Sequence, residues 1–238
     1  MFLTIKKKTV ILIAIAVVVL IAAIVITAVS VSARETVGAN GKTVVIDAGH
    51  GGIDGGVVGR VTGVREADIN LAIARKLSRF LEQKGYRVVM TRNSADGLYG
   101  MATSNRKLRD MEARRRIINE ANPHLVVSIH QNSFPSPSVR GPQVFFSHSC
   151  SGGEQKATIM QNVLNATLNS DRLAKRGDFF IIESTPHPAL LVESGFLSNP
   201  EEEQLLISSE HQEKIAYAVF TGIHMILFDE PPIIHSSF

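Results

Sequence analysis

The rhythm of apolar and polar positions changes several times along this chain, and each change marks an element. Residues 10–29 run without a single charge. A bilayer's hydrocarbon core takes roughly 20 apolar residues as a helix, so this run predicts one N-terminal transmembrane helix. Residues 43–47 form a short continuous apolar run that ends in glycines and predicts a buried strand. Over 66–84 the spacing turns helical. Ile69, Ala72, Ile73, Leu77, Phe80 and Leu81 fall on one stripe, and Gly85 is placed to end the helix. Strands are then predicted over 86–91, 125–130, 143–146, 179–182 and 189–193, and helices over 105–121, 154–168 and 210–228. Asn199-Pro200 followed by Glu201, Glu202 and Glu203 reads as an N-cap, a proline at the first helical position and acids that suit the helix dipole. Continuously apolar strands alternating with amphipathic helices predict an α/β fold: a single domain, with a mostly parallel twisted sheet of about six strands flanked by helices.

Charge orients the first segment. Lys6, Lys7 and Lys8 precede the apolar run and Arg34-Glu35 follow it, which leaves the N-terminus in the cytoplasm and the domain outside. Val31-Ser32-Ala33 also has the small residues of a signal-peptidase site. The apolar run is longer than the roughly 7–15 residues of a secretory signal, so a retained anchor is the preferred reading. Both readings export the same domain. The chain divides into a membrane anchor or signal segment (1–33), a tether (34–41), a catalytic domain (42–230) and a tail (231–238) opened by Pro231-Pro232 that reads as disordered. With the three N-terminal lysines set aside, 22 acidic residues face as many basic ones. That balance excludes the basic footprint of a nucleic-acid binder. The lone Cys150, in a polar stretch, excludes an intrachain disulfide and reads as incidental.

The candidate chemistry lies at the ends of predicted strands, where open α/β sheets form their sites. His50 follows the first strand between Gly49 and Gly51-Gly52, and His130 closes the third on the same pleat face as Ser128. Glu66 opens the first helix three residues before Ile69 and seven before Ile73, so it points along the apolar stripe, while Asp68 faces the other way. A carboxylate on a buried face needs a partner. With two histidines nearby, that partner is a metal ion, and two His plus one Glu is the ligand pattern of a catalytic zinc site. Glu193 closes the strand over 189–193 and is left as general base, moving a proton from the attacking water to the leaving group. Arg114 and Arg115 lie near the stripe of the helix over 105–121, so one of them is expected to reach inward and pair with an acid. His187, between two prolines, and Asn132, after His130, are further candidates for the substrate cleft or for support of the ligands, as is Arg114.

The stretches Val45-Ile-Asp-Ala-Gly-His-Gly-Gly, Glu66 at a helix start, Val127-Ser-Ile-His-Gln-Asn and Leu191-Val-Glu-Ser-Gly-Phe-Leu-Ser-Asn together resemble the zinc-dependent N-acetylmuramoyl-L-alanine amidases. The resemblance spans about residues 42–228. It implies one zinc ion on His50, Glu66 and His130, and Glu193 as the catalytic glutamate. It also implies cleavage of the amide between N-acetylmuramic acid and L-alanine in peptidoglycan. The stretches 131–137 and 140–146 are similar to those of the family's sporulation branch, which implies removal of stem peptides from spore-cortex peptidoglycan for muramic-δ-lactam formation. Gln131 stands where many relatives carry a small or apolar residue. The chain also lacks a long insert before the 189–193 strand that would shield the site, so regulation is expected from a partner protein. The competing readings are a zinc peptidase acting within stem peptides, and a membrane-anchored wall-binding regulator with a degenerate site.

Overall fold

The computed structural model describes residues 41–148 and 152–229. The anchor, the tether up to residue 40, Cys150 and the tail therefore lie outside the described residues. Among those described, no helix is long and apolar enough to cross a membrane. Twelve elements follow in order: β1 (Thr43–Ala48), α1 (Glu66–Gln83), β2 (Arg87–Met90), α2 (Arg106–Ala121), β3 (Leu125–Asn132), β4 (Gln143–Phe146), α3 (Gly153–Leu168), β5 (Lys175–Arg176), α4 (Phe180–Glu183), β6 (Ala189–Phe196), α5 (Pro200–Leu206) and α6 (Ser209–Phe228).

The six strands form one sheet in the order β2-β1-β3-β6-β4-β5. All neighbours run parallel except β4 beside β6. Helices α1, α3 and α6 pack together on one face, and α2 and α4 cover the other. That two-sided cover is why β1 and β6 are buried along their whole length. Every second residue serves each face. Val45, Val126, Ala189 and Leu191 thus meet Ile118, Ile181 and Ile182 from α2 and α4 in one apolar cluster. Residues further along the same strands, at even spacing, continue that face into the site: Asp47 pairs in register with Ser128, and His130 with Glu193.

Residues 179–182, expected as a strand, instead form the short helix α4. Glu183 N–H donates to the Phe179 carbonyl (3.0 Å) and Ser184 N–H to that of Phe180 (2.9 Å). Adjacent Ile181 and Ile182 are both buried. A strand sends neighbouring side chains to opposite faces, so one face of a helical turn accommodates this pair and a strand on this one-sided packing does not. A four-residue apolar run carries too little periodicity to distinguish the two. The N-cap at Asn199 is present, with its side chain accepting from the N–H groups of Glu201 and Glu202. Glu203 does more than suit the dipole. Fully buried, it accepts from the Val61 and Thr62 N–H groups and the Thr62 hydroxyl, clasping the loop between β1 and α1.

Candidate functional site

Chain direction places the site. From β1 the sheet extends through β2 on one side and β3 on the other, so their connections leave in opposite directions and open a crevice at the carboxyl ends. His50 lies just past β1 and His130 near the end of β3. The chain at His50 turns through a left-handed conformation (φ 60°), which costs a non-glycine residue roughly 1–3 kcal/mol unless its surroundings enforce it. Two buried arginines enforce it here. Arg114 donates to the carbonyls of Ala48 (2.8 Å) and His50 (2.6 Å), and Arg92 to those of Ala48 (2.8 Å), Gly49 (2.9 Å) and Ala67 (2.8 Å). Gly49 admits the close approach of the second ring, since a Cβ there would sit 2.3 Å from His130 Nε2.

Glu66, at the first position of α1, is buried and joins the histidines. Its Oε1 lies 2.9 Å from His130 Nδ1 and 3.2 Å from His50 Nε2. The two imidazole rings meet edge to face, 4.9 Å between centroids. One donor atom from each of His50, Glu66 and His130 lies within 4.8 Å of the others. Asp54 accepts from the far side of His50, Oδ1 to Nδ1 at 3.0 Å, the carboxylate–histidine support that fixes a ligand ring and leaves its other nitrogen free to bind. Burial opposes the charge of each group, yet the pairing prevails: the rings of His130 and His50 hold Glu66 well below the usual carboxylate range, and Glu66 and Asp54 raise His50 to about 9. This set fits a zinc ion by composition (two imidazoles and one carboxylate) and by convergence on one point.

Glu193 sits on β6 directly across from His130. Burial pushes its carboxyl up to about 7, against a downward pull from His130. Its Oε2 has no hydrogen-bond partner among the described residues. A carboxyl so placed changes protonation near neutral pH, as an acid–base group must. Beside these residues opens a cavity of about 550 Å³ walled by Ile53, Tyr99, Met111, Phe179 and Phe180, with Lys107 and Asp178 also lining it.

The four residues singled out as ligands and base are thus brought together, and Asp68 faces out and pairs with Arg65 as its helix position requires. Arg114 is the inward-reaching arginine, pairing with Asp47 (2.6 Å) and Asp110 (2.6 Å), while Arg115 stays on the surface with Glu112. Arg114 lines the cavity, with four of its N–H groups held by the Asp47 and Asp110 carboxylates and by the Ala48 and His50 carbonyls. His187 precedes β6 at its amino end and is not among the residues lining this cavity. Asn132 follows a register shift in β3 and turns its side chain to the N–H of Ser133 (2.8 Å), outside the cavity wall. Sequence reasoning missed Arg92, Asp47, Asp54 and Asn70. The only available signal was a polar residue next to an apolar run, which surface positions share.

Two histidines and a buried glutamate around one point, with a separate unpaired carboxyl in register beside them, make the side-chain set of a metal-dependent hydrolase. Comparison with known proteins narrows this class: over residues 44–225 the chain matches the N-acetylmuramoyl-L-alanine amidase family, and it belongs to that family. It is 36% identical over 189 residues to the germination-specific N-acetylmuramoyl-L-alanine amidase of Bacillus subtilis, covering 77% of this chain and 79% of that one. Among solved structures it is similar to the CwlD amidase of Clostridioides difficile in complex with the GerS lipoprotein (TM-score 0.76, 34% identity, 79% of this chain and all of that one). It is also similar to the catalytic domain of CwlV, an N-acetylmuramoyl-L-alanine amidase from Bacillus (Paenibacillus) polymyxa (TM-score 0.68, 32% identity, 76% and 96% covered). The protein is an N-acetylmuramoyl-L-alanine amidase.

Proposed function

We propose that this amidase is zinc-dependent and strips stem peptides from spore-cortex peptidoglycan, leaving muramic acid free to form the δ-lactam. The convergence of His50, Glu66 and His130 donors within 4.8 Å, with Glu193 in register beside His130, carries the zinc reading. Similarity over most of both chains to a germination-specific enzyme supports the cortex reading.

A zinc ion held by His50, Glu66 and His130 supplies Lewis acidity toward the scissile carbonyl and the attacking water. This chain's residues do the rest. Asp54 and Glu66 fix the two rings. Glu193, ionised, takes a proton from the water as its oxygen bonds to the lactyl carbonyl carbon. The same proton then passes from Glu193 to the departing L-alanine nitrogen as the C–N bond breaks, and the glutamate returns to its starting state.

In this reading the charge-free run over 10–29 holds the domain against the outer face of the membrane. A lipoprotein partner is part of it too, because the similar Clostridioides difficile enzyme was solved bound to one. The test is mass spectrometry of fragments released from purified spore-cortex peptidoglycan by the full chain, with zinc and with a chelator. Zinc-dependent release of stem peptides bearing a free L-alanine amine is the expected result. Cleavage within the stem peptide would move the function to a peptidase.

A further inference from the structure

Glu66 makes more contacts than its two histidines. Strand alternation turns Gln131, the neighbour of His130 on β3, to the opposite face, toward α1. The residue there is Asn70, one helical turn after Glu66. Asn70 is fully buried and Gln131 nearly so. Asn70 Nδ2 donates to Glu66 Oε1 (3.2 Å) and to the Gly49 carbonyl (3.2 Å). Gln131 donates its backbone N–H to the same Oε1 (3.1 Å) and its side-chain Nε2 to Asn70 Oδ1 (3.1 Å). Oε2, in turn, accepts from the Val57 N–H (2.9 Å).

We infer that Asn70 and Gln131 form a two-amide relay that positions Glu66 as a metal ligand. This rests on the zinc reading above. Two amide donors on Oε1 and one on Oε2 fix the carboxylate plane and leave Oε1 directed at the histidines. The weak point is Asn70. A half-turn of its amide would set Oδ1 against the carboxylate, oxygen to oxygen. The Gln131 donor on Oδ1 opposes that turn. Gln131 therefore acts on the metal through Asn70, and Asn70 also ties the Gly49 carbonyl, hence the His50 loop, to the same helix. Gln131 Oε1 has no partner among the described residues. The side chain thus brings an unsatisfied buried acceptor along with its one useful donor, and is poorly suited to a purely stabilising role. Supporting groups of this kind commonly change metal affinity by about 10–100-fold.

The test is zinc affinity of the full chain by competition with a chromogenic chelator, alongside unfolding midpoints of the metal-free protein. Asn70→Leu is expected to weaken zinc binding by about 10–100-fold. Gln131→Met should weaken it less, with its metal-free unfolding midpoint close to the parent's. The double variant should bind no more weakly than Asn70→Leu alone, because the Gln131 side chain reaches Glu66 only through Asn70 and its backbone N–H bond to Oε1 survives the substitution. Unchanged zinc affinity in Gln131→Met, multiplying losses in the double variant, or a loss matched by an equal fall in metal-free stability would each overturn the relay. If the parent binds zinc and the single variants match it, only the relay falls. If the parent takes up no zinc, the metal reading falls and the relay with it.

Discussion

Replacing Arg114 with Met tests whether a buried ion pair holds the floor of the site. The guanidinium is almost wholly buried and bonded to Asp47, Asp110 and the carbonyls of Ala48 and His50. Methionine fills much of the volume and supplies none of the donors. Breaking a buried pair by removing one partner costs about 3–5 kcal/mol, because the other charge stays buried and uncompensated. Asp47 retains the hydroxyls of Thr91 (2.7 Å) and Ser128 (2.6 Å), which favours the lower end. At roughly 2–4 °C per kcal/mol for a domain of this size, the melting temperature should drop by about 6–20 °C. The pH dependence gives a sharper check. Burial alone would push the Asp47 carboxyl up. Arg114, with Ser128 and Thr91, reverses that and holds it at about 2. In the parent the folded value lies below the unfolded one, so Asp47 contributes stability that is fully present above the unfolded value of 3.8 and is lost as pH falls from there through about 2. In the variant the folded value rises above the unfolded one. Ionised Asp47 then costs stability near neutrality, and the cost disappears as the carboxyl protonates. Circular-dichroism melts of both proteins should therefore show the gap narrowing on acidification from neutral pH toward about pH 4. A variant that melts within a degree or two of the parent, or a gap that ignores pH, would refute the reasoning.

Three further outcomes are expected. Glu193→Gln should lower turnover on peptidoglycan by about 10²–10⁴-fold, the usual share of a general acid–base group. Zinc content, read by elemental analysis, should stay at the parent's level. Binding of zinc must displace the proton that Glu66 and Asp54 keep on His50 up to about pH 9. Apparent affinity should thus rise about tenfold per pH unit between neutrality and that value and flatten above it; a flat profile over this range would remove His50 from the ligand set. Gly49→Ala would place a Cβ 2.3 Å from the His130 ring, so the ring must shift, and chelator competition should show a loss of zinc affinity of at least the roughly tenfold size that lost support produces.

The fold was legible wherever an element repeated its pattern long enough. The stripe from Ile69 to Leu81 fixes α1 and, with it, the inward aim of Glu66, because helical phase is a property of spacing alone. The continuously apolar β1, β3 and β6 were legible for the same reason. The short run at 179–182 was not, since four residues cannot separate a strand from a helical turn. The strand over 143–146 was legible as β4, though not its antiparallel direction, and the two-residue β5 lies beyond periodicity. Within the site, His50, His130 and Glu193 could be read because each stands at the end of an apolar run. Arg92 and Asp54 could not, because their role depends on which carbonyl or ring the folded chain brings to them.

Three acidic side chains on neighbouring elements end with three different proton affinities, and their donors account for the order. Asp47 accepts from a guanidinium and two hydroxyls and stays ionised. Glu66 accepts from three amide N–H groups and faces two imidazoles, and it too is held low. Glu193 is buried too, but its Oε2 meets no donor among the described residues, and burial raises it to about 7. Desolvation is common to all three, so it cannot set the order; neighbouring charge together with hydrogen bonding does, from Arg114 and two hydroxyls at Asp47 and from two imidazoles at Glu66. The consequence is a division of labour among like groups, of the kind that lets one fold place fixed charges and a proton carrier side by side. A carboxylate saturated with donors is fixed in charge and orientation, which suits an ion pair or a metal ligand. A carboxyl without them holds its proton loosely near neutral pH and can move it. In the proposed mechanism the same criterion places Asp47 in structure and Glu66 on the metal, and it leaves Glu193 as the group of the three suited to exchange a proton.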